Sequence, residues 1–145
     1  MSSNLQRDLV QPGPTMSTGA VRVVGAVLAL AISGIHIADQ GGLTALKDPA
    51  YLGYGYWMLE IAGVIAALLL LTRPRTVSWV LALGVAAGPL VGITISRSVG
   101  LPDATDDIGN WFEPLGMLAM AVETVLVVIS VSMLTRTRGA LHRRP

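Results

Sequence analysis

The chain contains no cysteine, only 13% charged residues and a single phenylalanine. Without cysteine it can form no disulfide, thiolate metal site, iron–sulfur centre or cysteine nucleophile. Ordinary soluble domains carry about a quarter charged residues, so the shortage of charge excludes most soluble folds. No nucleophile elbow, phosphate loop or dinucleotide fingerprint occurs. The acidic stretch DATDDIGNWFE, 103–113, lacks the alternating oxygen ligands of a calcium loop and reads as a solvated turn capped before Pro114. HxxxH spacing is also absent, so although His36, two glutamates, Met117 and Met120 can be assembled on paper, no metal is expected. A net charge of +1 says little about partners, and nothing in the chain points to nucleic acid.

What is present in quantity is apolar surface: 52% of the 145 residues are hydrophobic. The charges gather in short clusters between four apolar runs, about 21–38, 54–72, 76–96 and 114–134. Each has the length needed to cross roughly 30 Å of hydrocarbon. The expected fold is therefore all-α, a polytopic membrane bundle of four transmembrane helices spanning 20–135, with a flexible tail at 1–19 and a basic tail at 136–145. The first run is longer than the core of a secretory signal and IHIADQGG after it offers no small-x-small cleavage site, so it reads as a retained span.

Eight of the ten basic residues fall on one side when the chain is threaded in and out: Arg7, Arg22, Arg73, Arg75, Arg136, Arg138, Arg143 and Arg144. The positive-inside rule then places both termini in the cytoplasm of a cell whose inner (plasma) membrane the chain spans. The two loops carrying Asp39, Lys47 and Asp48, and Arg97, Asp103, Asp106, Asp107 and Glu113, face outward. Tyr51, Tyr54, Tyr56, Trp57, Trp111 and Phe112 cluster where these loops meet the spans, the depth of an interfacial aromatic belt.

A shift of 63 positions lays Glu60 on Glu123, Thr72 on Thr135, Arg73 on Arg136 and Arg75 on Arg138, and also Gly25 on Gly88 and Ser33 on Ser96. Charges are the rare letters here, so the shared Glu and LTRxR suggest two duplicated helical hairpins. Parallel repeats of this kind are related by a pseudo-twofold axis along the membrane normal. Across that axis the two glutamates are expected to approach each other.

At 100° per residue, narrow stripes of small and polar residues mark inward faces: Gly25, Ala29, Ile32 and His36; Tyr56, Glu60, Gly63 and Ala67; Glu113, Gly116, Met120 and Glu123. Gly84, Gly88 and Gly92, spaced by four, predict a ridge of close helix packing. Pro89 in the same span predicts a kink that frees the Val85 carbonyl. A charged side chain at mid-bilayer costs about 2.5–3.5 kcal/mol on insertion scales, so intramembrane ionisable residues mark function or a paired structural site. The candidate site is one polar cavity, open outward, built from His36, Glu60, Arg97 and Glu123. It would take a small polar or cationic ligand, or protons. The plainer reading is that each glutamate separately fixes the bundle.

The stretch SRSVGLPDATDDIGNWFEPLG, Ser96 to Gly116, followed by Glu123, resembles small four-helix membrane proteins of bacteria, many of them actinobacterial, with the shape SRxVGLP, a short loop, WxEPLG and a later Glu. Arg97, Gly100, Leu101, Pro102, Trp111, Glu113, Pro114 and Gly116 stand in those positions. The resemblance implies a four-helix fold and brings no activity. Leu59 to Gly84 is more weakly similar to the second and third spans of DoxX-type proteins, which implies a link to quinone or sulfur redox complexes. Three roles remain open at this level. The chain is a binding or transport protein, a non-catalytic subunit of a larger membrane complex, or an enzyme using His36 with two carboxylates. Of these the enzyme is the least favoured, no cofactor is indicated, and a homo-oligomer or a membrane-complex partner is expected.

Overall fold

Ser17 starts the first helix by accepting the Ala20 amide on its hydroxyl at 3.2 Å. Gly41 ends it at φ 95°, the left-handed conformation glycine reaches without a Cβ clash, and its amide and that of Gly42 bond back to Ala38 and Ile37. The computed structural model describes residues 17–73 and 76–141. Residues 1–16 of the tail expected over 1–19, with Arg7, and also Arg75, Arg143 and Arg144 lie outside the described residues, while Thr18 and Gly19 belong to the first helix. Four helices result: α1, Thr18–Gln40; α2, Ala50–Thr72; α3, Thr76–Ser98; and α4, Pro114–Leu141. Among the described residues there is no strand. α4 runs on through Arg136 to Leu141, so the described part of the expected basic tail is helical.

All four helices are long and apolar enough to cross a membrane, which makes the chain a multi-pass membrane protein of four transmembrane helices. Val27, Met58, Val91 and Val128 are among the large apolar residues left exposed on the helices, the surface such a bundle offers to lipid. The helices pass up and down, so one end carries the tails and the α2–α3 connection and the other carries the α1–α2 and α3–α4 loops. These are called the tail end and the loop end.

Around the bundle α1 packs on α2 and α4, and α3 on α4 and α2. α1 and α3 approach across the short diagonal, whereas the backbones of α2 and α4 stay apart among the described residues. The tail-end half is filled by small residues that let backbones come close, Ala26 and Ala29, Ala66 and Ala67, Ala82 and Ala86, with Ile32, Leu70, Trp79 and Leu126 between them. Gly25 makes room for the Trp79 ring, which would stand 3.1 Å from a Cβ there. Arg22 donates from Nε to the Leu70 carbonyl at 2.7 Å and from Nη2 to the Leu71 carbonyl at 2.6 Å. It thereby caps carbonyls in the last turn of α2 that have no partner within their own helix. α3 continues through Pro89 as a helix.

Candidate functional site

In the loop-end half α2 and α3 part, and a half-open cavity of about 710 Å³ lies between them, closed behind by α1 and α4. Its size falls in the range of small-molecule sites, about 300–1,000 Å³. α3 supplies one wall from Leu81 to Arg97, and α4 supplies Gly116, Ala119 and Glu123. The tail-end portion of the cavity is apolar, lined by Leu59, Ala62, Leu81 and Val85.

The three glycines of α3 depart from their sequence-based reading. Nothing lies within 4 Å of a Cβ placed at Gly84, Gly88 or Gly92, and all three line the cavity instead of packing on a neighbouring helix. A four-residue glycine spacing lets another helix approach; it does not supply one. Close approach is found at other glycines. A Cβ at Gly63 would overlap the Ser33 hydroxyl and stand 3.0 Å from the Ala29 carbonyl. At Gly116 it would overlap the Arg97 guanidinium.

His36 and Glu123 meet at the back of the cavity, Nε2 to Oε1 at 3.1 Å, with Glu123 only 1% exposed. The contact crosses from the first hairpin to the second. Glu60 lies elsewhere. It is buried outside the cavity lining, its Oε1 accepts from Gln40 Nε2 at 2.7 Å, and its carbonyl faces Ser33 Oγ at 3.1 Å. The expected approach of the two glutamates does not occur: they stand on α2 and α4, whose backbones do not come close, and each carboxylate meets a side chain of α1. Both are held by α1 instead, through His36 and Gln40, which are one turn apart on one face. The 63-residue shift places Val99 and Asp103 opposite these two, so the second half has no equivalent pair of partners.

Arg97 is 5% exposed and donates from Nη2 to Glu113 Oε2 at 3.0 Å. Glu113 in turn accepts the amides of Leu115, at 2.9 Å, and Gly116, at 2.5 Å, capping the start of α4. The Glu113-Pro114-x-Gly116 spacing thus has a local reason: a carboxylate reaches back over the first turn, proline needs no amide partner there, and glycine leaves space for the guanidinium. At the cavity mouth Asp39 accepts Lys47 Nζ at 2.5 Å and the Tyr56 hydroxyl at 2.5 Å. Tyr56 sets its ring edge-on to His36, centroids 5.0 Å apart. Tyr56 therefore belongs to the site, while Tyr54 and Phe112 remain exposed as belt residues do. Tyr51, in the first turn of α2, reaches the α3–α4 loop by donating to the Pro102 carbonyl at 2.7 Å.

Sequence reasoning missed Gln40, Asp39, Lys47, Tyr56 and Glu113 as partners. The available signals were the four-residue step from His36 to Gln40 and a carboxylate directly before Pro114. Three buried polar atoms on cavity-lining side chains have no hydrogen-bond partner among the described residues: His36 Nδ1, Arg97 Nη1 and Glu123 Oε2. Among the described residues no three His, Asp or Glu side chains are grouped to hold a metal ion. Compared with protein-family models, with curated proteins and with solved structures, the chain matches none.

Proposed function

We propose that this membrane protein binds a small molecule in the loop-end cavity, and that the loop end faces outward with both termini in the cytoplasm. The observation that carries the binding reading is the cavity itself, with the side chains of His36, Arg97 and Glu123 in its lining. The packed tail-end half, with Leu70, Ala82 and Leu126 fully buried, favours binding over passage through the bundle. The orientation rests on the basic residues gathered at the tail end. Descent from a duplicated hairpin is supported by the helix pairing, since α1–α2 matches α3–α4 and α1–α4 matches α3–α2. The likeness of the Ser96–Gly116 stretch to small four-helix bacterial membrane proteins and the weaker DoxX likeness stay proposals of kinship.

Thiol labelling tests the orientation: Asp106→Cys should react from outside and Arg138→Cys only from inside, and the reverse would sink it. Native mass spectrometry of protein released from its membrane tests binding. One small molecule per chain, lost in a cavity-filling Gly88→Leu variant, is the expected result. A stable second protein with no such molecule would instead make the chain a subunit of a larger complex.

A further inference from the structure

The loop end of the molecule is acidic. Six carboxylates stand there, Asp39, Asp48, Asp103, Asp106, Asp107 and Glu113, against two cations, Lys47 and Arg97. Both cations are already taken, Lys47 by Asp39 and Arg97 by Glu113. Asp48, Asp103, Asp106 and Asp107 are exposed and, among the described residues, form no ion pair. Asp107 also belongs to the cavity lining, so one of these surplus carboxylates stands at the mouth.

The cavity follows the same balance. Its lining contains the carboxyl groups of Asp39, Asp107, Glu113 and Glu123 and the cations Lys47 and Arg97, with His36 beside Glu123. The negative surplus does not depend on how that pair holds its protons. With neutral His36 and ionised Glu123 it amounts to two charges, and one further proton on either partner leaves one. The one state that cancels it, imidazolium facing carboxylic acid, gives up the attraction within the pair. An anion entering this space therefore meets repulsion on top of the cost of leaving water, whereas for a cation the surplus offsets that cost. Toward the tail end the wall is apolar, with Leu59, Ala62, Leu81 and Val85, and Gly84 and Gly88 leave room along it. Resting on the binding reading above, we infer that the ligand is a monovalent organic cation with an apolar body. Its charge is drawn in past Asp107 and lies in the loop-end part of the cavity, and its apolar part lies along the α3 glycines. No contact with the buried Glu123 carboxyl is required, because a charge in a low-dielectric wall acts across several ångströms.

Gly88→Cys supplies the reporter, being the single thiol in a chain that has none, at a position where a Cβ meets nothing within 4 Å. In nanodiscs of zwitterionic phosphatidylcholine, which add no net surface charge, uncharged methyl methanethiosulfonate should label it. Benzyltrimethylammonium and phenylmethanesulfonate, of similar size and opposite charge, are added as competitors. Half-protection should need at least about tenfold less of the cation than of the anion, the lower end of what a charged cleft does to local concentration. Asp107→Asn, a change at an exposed position, should narrow that ratio severalfold. Equal protection by the two ions, stronger protection by the sulfonate, or a ratio unmoved by Asp107→Asn overturns the inference. So does a disulfide between two copies through this position, which would make a second α3 the occupant. Labelling that neither ion slows defeats the cation and leaves the cavity standing, whereas no labelling even by the uncharged reagent defeats the cavity and the binding reading with it.

Discussion

Substituting alanine at Gly63 and at Gly88 should move stability in opposite directions, although both are glycines of membrane helices. At Gly63 the new methyl overlaps the Ser33 hydroxyl and crowds the Ala29 carbonyl, so α1 and α2 must separate. Overpacking of this kind costs about 1–3 kcal/mol. Loss of the Ser33–Glu60 contact adds about 0.6 kcal/mol, the average for an interhelical hydrogen bond in a membrane. Alanine's higher helix propensity returns up to about 1 kcal/mol, leaving Gly63→Ala destabilised by about 1–2 kcal/mol. At Gly88 the methyl meets nothing, so only the propensity gain remains, between zero and about 1 kcal/mol. The two variants should thus differ by about 2 kcal/mol, a factor of roughly 30 in the folding equilibrium. Reversible unfolding in mixed micelles, or steric trapping in bicelles, measures both. Equal destabilisation by the two substitutions would mean that the α3 glycines do pack against a helix, and would refute this assignment of close contacts.

Arg22→Ala should cost about 1–2 kcal/mol by uncapping the Leu70 and Leu71 carbonyls, and hydrogen exchange should quicken in the last turn of α2 before it does elsewhere. Gly116→Ala should displace Arg97 from Glu113 and destabilise by about 2–3 kcal/mol, while Gly55→Ala, where nothing lies within 4 Å, should be near neutral in the same unfolding assay. Double-mutant cycles should give a coupling of at least about 0.5 kcal/mol for His36 with Glu123 and for Gln40 with Glu60, and a smaller one for Gln40 with Glu123. A Gln40–Glu123 coupling equal to the others would show that the two glutamates share one network.

The four spans were legible because charge is so scarce that each polar cluster marks a helix end; expected and observed boundaries differ by up to four residues, except that α4 runs seven residues past its expected end. That His36, Arg97 and Glu123 line one cavity was legible because ionisable residues inside apolar runs are costly wherever they lie. Glu60 was assigned to the same cavity because helical periodicity gives the face of a residue and not which neighbour occupies that face. The repeat misled in the same way: it pairs Glu60 with Glu123 by position, yet their helices stand at opposite corners and their partners both come from α1. Arg22 counted in the sequence only as a topological charge, and its capping of α2 depends on how α1 and α2 dock. Glycine spacing in α3 reported a helix that another chain element can approach closely, and the structure leaves that wall to the cavity.

The central claim is a cavity reached from the loop end, with the α3 glycines as its wall, and a cysteine scan of α3 tests it most directly. Single cysteines at Gly92, Gly88 and Gly84 should react with a small membrane-impermeant reagent added on the loop side, faster the nearer they are to that end. Cysteines at Val80, Val91 and Ile95, whose side chains are exposed on the outside of the helix, should not react when lipid surrounds them. If the glycine positions prove as unreactive as the other three, there is no such cavity and the binding role falls with it.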